Sequence, residues 1–190
     1  MLFTPEHYNC YKLLAIDPGV NNCGLAVFDI DYKTNKIMSV DANTVISAKL
    51  NDTTSLYEDL YSERTIKLYK LMNRISEVVD NVNPAIVVCE SPFYNRLRPM
   101  AYGSLLEVLN SIHSVVINYN NNIPFFTVEP LLVKKTVGAG MQTGKLDVKE
   151  SIGRIETIMS NLIPDLDGLD EHSVDAMAVG YTYLKLTTGV

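Results

Sequence analysis

The sequence predicts an α/β protein built on a mixed five-stranded sheet with helices on both sides. Three strand patterns come first and lie close together, separated by turn residues. Long segments with helical spacing follow, and short apolar strands alternate with them. Hairpins followed by crossovers through helices produce a sheet with both antiparallel and parallel neighbours.

The first three strands are delimited by turns. "YKLLAIDPG" is a strand that ends in a Pro-Gly turn, "CGLAVFDID" is the second strand, and "KIMSVDANTVISA" is the third. The segment "DYKTNK" is the hairpin loop between the second and third. This order predicts an antiparallel meander at the start of the chain.

Helices and strands alternate in the rest of the chain. The helices are predicted at about Ser55–Asn81, around Leu105–Asn118, at about Val148–Leu162, and from about Glu171 onward. "NPAIVVCESP" is a short apolar strand of the kind that is buried on both faces, and "IPFFTVEP" is the fifth strand.

Composition limits the class of protein. The 190 residues suit one domain covering residues 1–190, and a fifth of them are charged. We expect no membrane segment and no export signal, and three scattered cysteines favour a reducing cytoplasm. The net charge of -6 argues against a protein coated in nucleic acid, although lysines between Lys134 and Arg154 allow a local basic face.

Acidic residues end two of the predicted strands. Asp17 closes the first strand, Glu90 closes the fourth, and Asp175 lies among apolar residues in the last helix. Each acid alone could simply cap a helix or meet solvent. Strands one and four of mixed sheets are often central neighbours, and functional groups collect at their carboxyl ends. We therefore expect the three carboxylates to converge.

Converging carboxylates predict a metal site. Neighbouring carboxylates repel each other, and a divalent cation removes that repulsion. Oxygen ligands with at most one imidazole favour Mg²⁺ or Mn²⁺, and two such ions about 3.5–4 Å apart support phosphodiester hydrolysis. Acid pairs alone would equally fit a glycosidase or a structural metal site.

Two further side chains share the helical face of Asp175. His172 lies three residues before it and Glu171 four residues before it. His172 either ligates the metal, positions a water, or faces solvent at the helix start. Glu171 is the alternative partner of Asp175, and Asp170 is predicted to cap the helix.

A segment rich in lysine and glycine, "VEPLLVKKTVGAGMQTGKLDVKESI", predicts phosphate contacts through Lys134, Lys135 and Lys145. It is not a P-loop, because Leu146 stands where a P-loop has Ser or Thr. The alternative is a solvated lysine-rich loop.

Aromatic and basic residues follow Glu90 in "ESPFYNRLRP". Phe93 is a candidate for stacking on an unpaired base, beside Arg96 and Arg98. Alternatively, Phe93 packs into the core or into a subunit interface.

The segments "LLAIDPGVNNCGLAV", "IVVCESPF", "VEPLLVKKTVGAGMQTGKLDVKESI" and "HSVDAMAVG" resemble, in order and spacing, the motifs of the RuvC family of Holliday junction resolvases. The match spans about Leu13 to Gly180. The resemblance implies an RNase H-like fold, a homodimer, and paired Mg²⁺-dependent nicks in strands of like polarity at a four-way DNA junction.

The resemblance also implies roles for individual residues. Asp17, Glu90 and Asp175 match catalytic acids, and His172 falls where the family has either Asp or His. Phe93 matches an aromatic near the junction centre. The DNA-contacting lysines match Lys134 and Lys145.

The chain departs from the family in several respects. It is acidic, and the "DYKTNKIM" hairpin and Asn51–Glu63 look longer than in compact bacterial members. Such divergence suits a bacteriophage or another virus, whose protein would act in the host cytoplasm. Tyr102, Leu106 and the helix Leu105–Asn118 are candidates for the dimer interface.

Two alternative functions stay open from the sequence. One is another RNase H-fold nuclease that acts on flaps, branches or RNA–DNA hybrids, because the same acids serve all of them. The other is a non-catalytic junction-binding protein, against which the intact set of acids argues.

Overall fold

The computed structural model describes residues 10–50, 60–94, 96–97, 99–139, 151–152, 162, 166 and 168–189. Among them, five strands and four helices have defined bounds. The strands are β1 (Cys10–Asp17), β2 (Asn22–Asp31), β3 (Ile37–Ile46), β4 (Ile86–Glu90) and β5 (Phe125–Val128). The helices are α1 (Glu63–Val82), α2 (Pro99–Tyr119), α3 (Pro130–Val137) and α4 (Glu171–Thr188).

The five strands form one mixed sheet in the order β3-β2-β1-β4-β5. β1 pairs antiparallel with β2 and parallel with β4, β2 pairs antiparallel with β3, and β4 pairs parallel with β5. The predicted five-stranded mixed sheet is therefore confirmed, and its central strand is the one that ends in Asp17.

Helices cover both faces of the sheet. In β1, Leu13 and Ala15 belong to a core shared with α3 and α4, while Leu14 and Ile16 belong to a core shared with α1 and α2. Successive strand residues point to opposite faces, so a strand covered on both sides must be apolar throughout. This explains the unbroken apolar run that precedes Asp17.

Helix α1 begins later than the sequence predicted. Its first residue is Glu63, residues 60–62 are not helical, and the predicted start at Ser55 lies outside the described residues. The side chain of Ser62 accepts a hydrogen bond from the backbone N–H of Thr65 and so caps the helix. Apolar spacing alone did not reveal this cap.

Helix α3 was not predicted. It has only eight residues, starts with Pro130 after Glu129, and ends at Gly138, which has a left-handed φ of 78°. Two turns are too short for a clear helical period, so the sequence analysis treated this segment as a loop. Of the predicted helix at 148–162, residues 151 and 152 are helical, residue 162 is not, and the others lie outside the described residues.

Helix α2 buries Val108, Ile112 and Val116 in the core and leaves other apolar residues, among them Met100 and Ile117, exposed. It is long and apolar enough to cross a membrane by length and composition alone, with a mean hydropathy of 1.2, and 17% of its most apolar stretch is buried. The sequence predicted no such segment. A helix that packs against another subunit has the same length and apolar character.

Candidate active site at the carboxyl ends of β1 and β4

Asp17 and Glu90 are brought together by the central pair of parallel strands. Ile16 of β1 pairs with Cys89 of β4, so the residue that follows each of them leaves the sheet at the same edge. Both acids come directly after buried apolar residues, and both are partly buried themselves. The structure therefore places two carboxylates side by side where the apolar strands end.

Helix α4 starts directly above this edge. Asp170 is its N-cap, as predicted, and its Oδ1 accepts from the backbone N–H and the hydroxyl of Ser173. The hydroxyl of Thr44 on β3 donates to the same carboxylate at 2.5 Å and lies 2.9 Å from Ser173 Oγ. These bonds tie the first turn of α4 to the edge strand β3.

The first turn of α4 also lies against β2. A Cβ atom added at Gly24 would collide with the backbone carbonyl of His172. Gly24 pairs with Asp17 across the β1–β2 ladder. A glycine at this position lets the helix approach the sheet closely enough for His172 to reach the end of β1.

His172 contacts Asp17 directly. Its Nδ1 atom lies 2.9 Å from Asp17 Oδ2, and the side chains are 23% and 14% exposed, respectively. On the other side of the ring, Nε2 lies 3.3 Å from Asn22 Nδ2 and 3.5 Å from Glu171 Oε1. Of the two alternatives left open by the sequence, His172 is thus the one in contact with the first acid.

The charges of Asp17 and Asp175 affect the pKa of Glu90. Burial in the first place, and then the negative charges of Asp17 and Asp175, raise the pKa of Glu90 from its usual 4.5 to about 8. The positive charge of Lys134 acts in the opposite direction and lowers this pKa. Asp17, Glu90 and Asp175 therefore form one electrostatic unit, which we call the carboxylate cluster.

Asp175 is tolerated on an otherwise apolar helix because it is not fully buried. It is partly exposed, whereas its neighbours Val174 and Ala176 are buried. One face of α4 thus fills the core, while Asp175 acts on Glu90 at the edge of the sheet.

Lys134 and Lys135 lie on a helix, not in the loop that the sequence analysis described. Both are in the last turn of α3, where Lys134 is partly buried and Lys135 is exposed. The electrostatic effect of Lys134 on Glu90 places this lysine near the carboxylate cluster. Lys145 lies outside the described residues.

The loop between β4 and α2 exposes aromatic side chains. Phe93 is 56% exposed, and Tyr94, equally exposed, packs edge-on against Tyr102. Arg96 is exposed as well, and Arg98 lies outside the described residues. Phe93 lies three residues after Glu90, so these aromatic side chains closely follow this member of the carboxylate cluster in the chain.

The donor chemistry of the carboxylate cluster fits a hard divalent cation. A cation would offset the mutual repulsion that raises the pKa of Glu90. Among the residues that the structure describes, no three His, Cys, Asp or Glu side chains already form a metal-binding group.

Sequence reasoning missed Asn22, Thr44 and Gly24. No pattern marks an asparagine beside a Pro-Gly turn or a threonine on an edge strand, because both act through contacts with a helix more than a hundred residues away. Gly24 was detectable in principle as a glycine inside a strand, which often marks a close approach of backbone.

Comparison with known proteins identifies relatives along nearly the whole chain. The chain is 28% identical over 176 residues to the crossover junction endodeoxyribonuclease RuvC of Baumannia cicadellinicola, covering 92% of this chain and 87% of that protein. It is 25% identical over 172 residues to RuvC of Borrelia turicatae, covering 88% and 92%. No protein-family model matches the chain.

Solved structures give the same result for the fold. Thermus thermophilus RuvC in complex with a Holliday junction substrate superimposes with a TM-score of 0.60 at 18% identity, covering 94% of this chain and 96% of that one. The mixed sheet with flanking helices is therefore the RNase H-like fold that the sequence motifs implied.

Proposed function

We propose that this chain is a crossover junction endodeoxyribonuclease of the RuvC family, to whose members it is similar along nearly its whole length, and that it resolves four-way DNA junctions by paired, metal-dependent nicks. The observation that carries the proposal is the carboxylate cluster, where side chains from β1, β4 and α4 converge although the chain separates them widely. A phosphodiester nuclease of this kind acts in DNA recombination, repair or the processing of branched DNA.

The carboxylate cluster would hold the divalent ions, with His172 as the candidate fourth ligand beside Asp17. Bound Mg²⁺ or Mn²⁺ supplies a nucleophilic water and stabilises the leaving oxygen. Both nitrogens of the His172 ring are engaged in hydrogen bonds, so ligation requires one of these bonds to give way. Glu90 must give up its proton before it can act as a ligand, which ties activity to pH.

The basic side chains would pair with the phosphates of the DNA. The candidates are Lys134 and Lys135 on α3, Arg96 in the loop before α2, and Lys145 from the sequence motif. Phe93 follows Glu90 by three residues and is exposed, so it is free to stack on a base that has lost its partner. An aromatic residue in this place favours an open junction over a continuous duplex.

Two symmetric nicks require two active sites related by a two-fold axis, so the proposal includes a homodimer. The occupant we assign to the exposed apolar surface of α2 is a second copy of this chain. Ile117 on this helix is 48% exposed, and Tyr102 is partly buried against Tyr94. Sedimentation at micromolar concentration should give a dimer, and Ile117→Glu should give a monomer that nicks junctions poorly.

The direct test uses a synthetic four-way junction with each strand labelled in turn. With Mg²⁺, we expect nicks at symmetric positions in two strands of like polarity, and none in a linear duplex of the same sequence. Equal activity on the junction and on the linear duplex would show a general nuclease without preference for junctions. Preference for a flap or an RNA–DNA hybrid in competition would point to another RNase H-fold activity, and binding without cleavage would point to a junction-binding protein.

A further inference from the structure

Asn22 lies on the opposite side of the His172 ring from Asp17. It is the first residue of β2, and its Nδ2 atom lies 3.3 Å from His172 Nε2, while His172 Nδ1 lies 2.9 Å from Asp17 Oδ2. Both ring nitrogens therefore have a polar partner in the sheet. The ring is held from two sides, by residues at the adjoining ends of two paired strands.

The chemistry of the partners decides which nitrogen carries the proton. An ionised carboxylate only accepts hydrogen bonds, so Nδ1 donates to Asp17. The Nδ2 group of Asn22 only donates, so Nε2 accepts from it. Among the two neutral forms of the ring, this pair of contacts matches the one with its proton on Nδ1.

Glu171 is a second polar group near Nε2, and it lies farther away than Asn22. Its Oε1 lies 3.5 Å from Nε2, at the limit of a hydrogen bond, and its side chain is 45% exposed. Asn22 is the closer of the two, and it extends from the sheet rather than from the helix that carries His172.

An amide suits this position because it carries both a donor and an acceptor. A histidine that ligates a cation through Nδ1 must first lose the Nδ1 proton, and the neutral ring then carries its proton on Nε2. If the Asn22 amide turns over, its oxygen accepts from Nε2–H. Asn22 can thus bond to the ring whether its proton is on Nδ1 or on Nε2. A carboxylate in its place could bond only to the form with the proton on Nε2.

We propose that Asn22 is a positioning residue that keeps Nδ1 of His172 directed at the carboxylate cluster in both neutral forms of the ring. The proposal rests on the proposed function for the role of the cluster, but the hydrogen bonds that carry it involve no DNA. Residues that fix the second nitrogen of a ligating histidine commonly contribute about 10–100-fold to metal affinity.

The first test measures the position of the ring proton. Long-range ¹H–¹⁵N correlation spectra of the metal-free protein at about pH 8 distinguish the two neutral forms, and with three histidines in the chain, His172→Gln identifies the signals by their loss. We expect the Nδ1–H form in the parent protein and a mixture in Asn22→Ala. Asn22→Asp keeps the shape but cannot donate, so Nε2 should become protonated.

Asn21→Ala is the matched control, because Asn21 is the exposed neighbour of Asn22. Its spectrum should match that of the parent protein. If both Asn22 variants also gave the parent spectrum, Asn22 would not fix the ring and the proposal would be overturned.

The second test measures Mn²⁺ affinity by electron paramagnetic resonance without DNA. Asn22→Ala should weaken binding about 10–100-fold, and Asn21→Ala should leave it unchanged. An unchanged affinity in Asn22→Ala would also overturn the proposal. If the spectra and affinities change as expected but the parent protein nicks no junction, the positioning role stands and the proposed function fails. Junction nicking together with unchanged spectra removes only the positioning role.

Discussion

The Nδ1 atom of His172 lies 2.9 Å from the Oδ2 atom of Asp17, although 155 positions separate the two residues in the chain. The contact joins the end of the central strand to the first turn of the last helix. It depends on the cap that fixes this turn and on the glycine that lets the turn approach β2.

Glu90→Gln should abolish nicking and leave junction binding intact. The substitution removes one carboxylate of the cluster without touching the lysines, and the loss of kcat should be at least about 100-fold. Glu77→Gln is the control, because Glu77 is an exposed acid that pairs with Arg74 on α1. Nicking assays and gel-shift titrations of both variants check the prediction. Cleavage by Glu90→Gln at the parent rate would exclude a role in holding the metal.

The stability of the metal-free protein should fall as the pH rises from about 4.5 to about 8. Glu90 has a pKa of about 8 in the folded chain, against the usual 4.5. Below about pH 4.5, Glu90 is protonated in both the folded and the unfolded chain. Between about pH 4.5 and 8, it loses its proton only in the unfolded chain. Folding is therefore penalised by about 1.4 kcal/mol per pH unit until the folded form also ionises. Denaturant unfolding with a chelator present should show this slope, and Glu90→Gln should lack it.

Lys134→Ala and Lys135→Ala should differ in one respect. Each should lower the dependence of log Kd on log salt by about one unit, because each removes one phosphate contact. Of these two lysines, only Lys134 lowers the pKa of Glu90. In Lys134→Ala, Glu90 should therefore lose its proton at a higher pH, and the nicking rate should begin to increase at a higher pH than in the parent protein or in Lys135→Ala. Identical pH profiles for the two variants would argue against a location of Lys134 beside the cluster.

Asp170→Ala should slow nicking as well as destabilise the fold. Loss of this cap should cost about 1 kcal/mol and loosen the turn that carries His172. Ser62→Ala is a matched control, since Ser62 caps α1 through the same kind of bond away from the carboxylate cluster. It should lower the free energy of unfolding by a similar amount and leave kcat unchanged. If Asp170→Ala and Ser62→Ala changed kcat equally, the Asp170 cap would stabilise the fold without positioning His172.

Lys145→Ala tests the sequence motif directly, since Lys145 lies outside the described residues. The match to the DNA-contacting lysines of the family predicts weaker junction binding and a salt dependence that is lower by about one unit. Lys185→Ala is a suitable control, because Lys185 lies near the end of α4 over the ring of Tyr181. A salt dependence equal to that of the parent would count against a phosphate contact at Lys145.

The sequence by itself determined the sheet and two of the places where acids leave it. Strands that are covered on both faces must be apolar throughout, so β1 and β4 can be predicted from their runs of apolar residues. Asp17 and Glu90 are recognisable as the acidic residues at which these runs end. The N-cap at Asp170 could be predicted as well, because its hydrogen bond from the backbone N–H of Ser173 lies within one turn of the helix.

Only the tertiary structure decided which side chains contact one another across the site. The bonds of His172 to Asp17 and Asn22, and of Thr44 to Asp170, join residues that are 126 to 155 positions apart. Local sequence patterns carry information about neighbours along the chain. These contacts arise instead from the way α4 packs on β2 and β3. The raised pKa of Glu90 follows from its burial and from the charges of Asp17 and Asp175, which the sheet and α4 bring close to it.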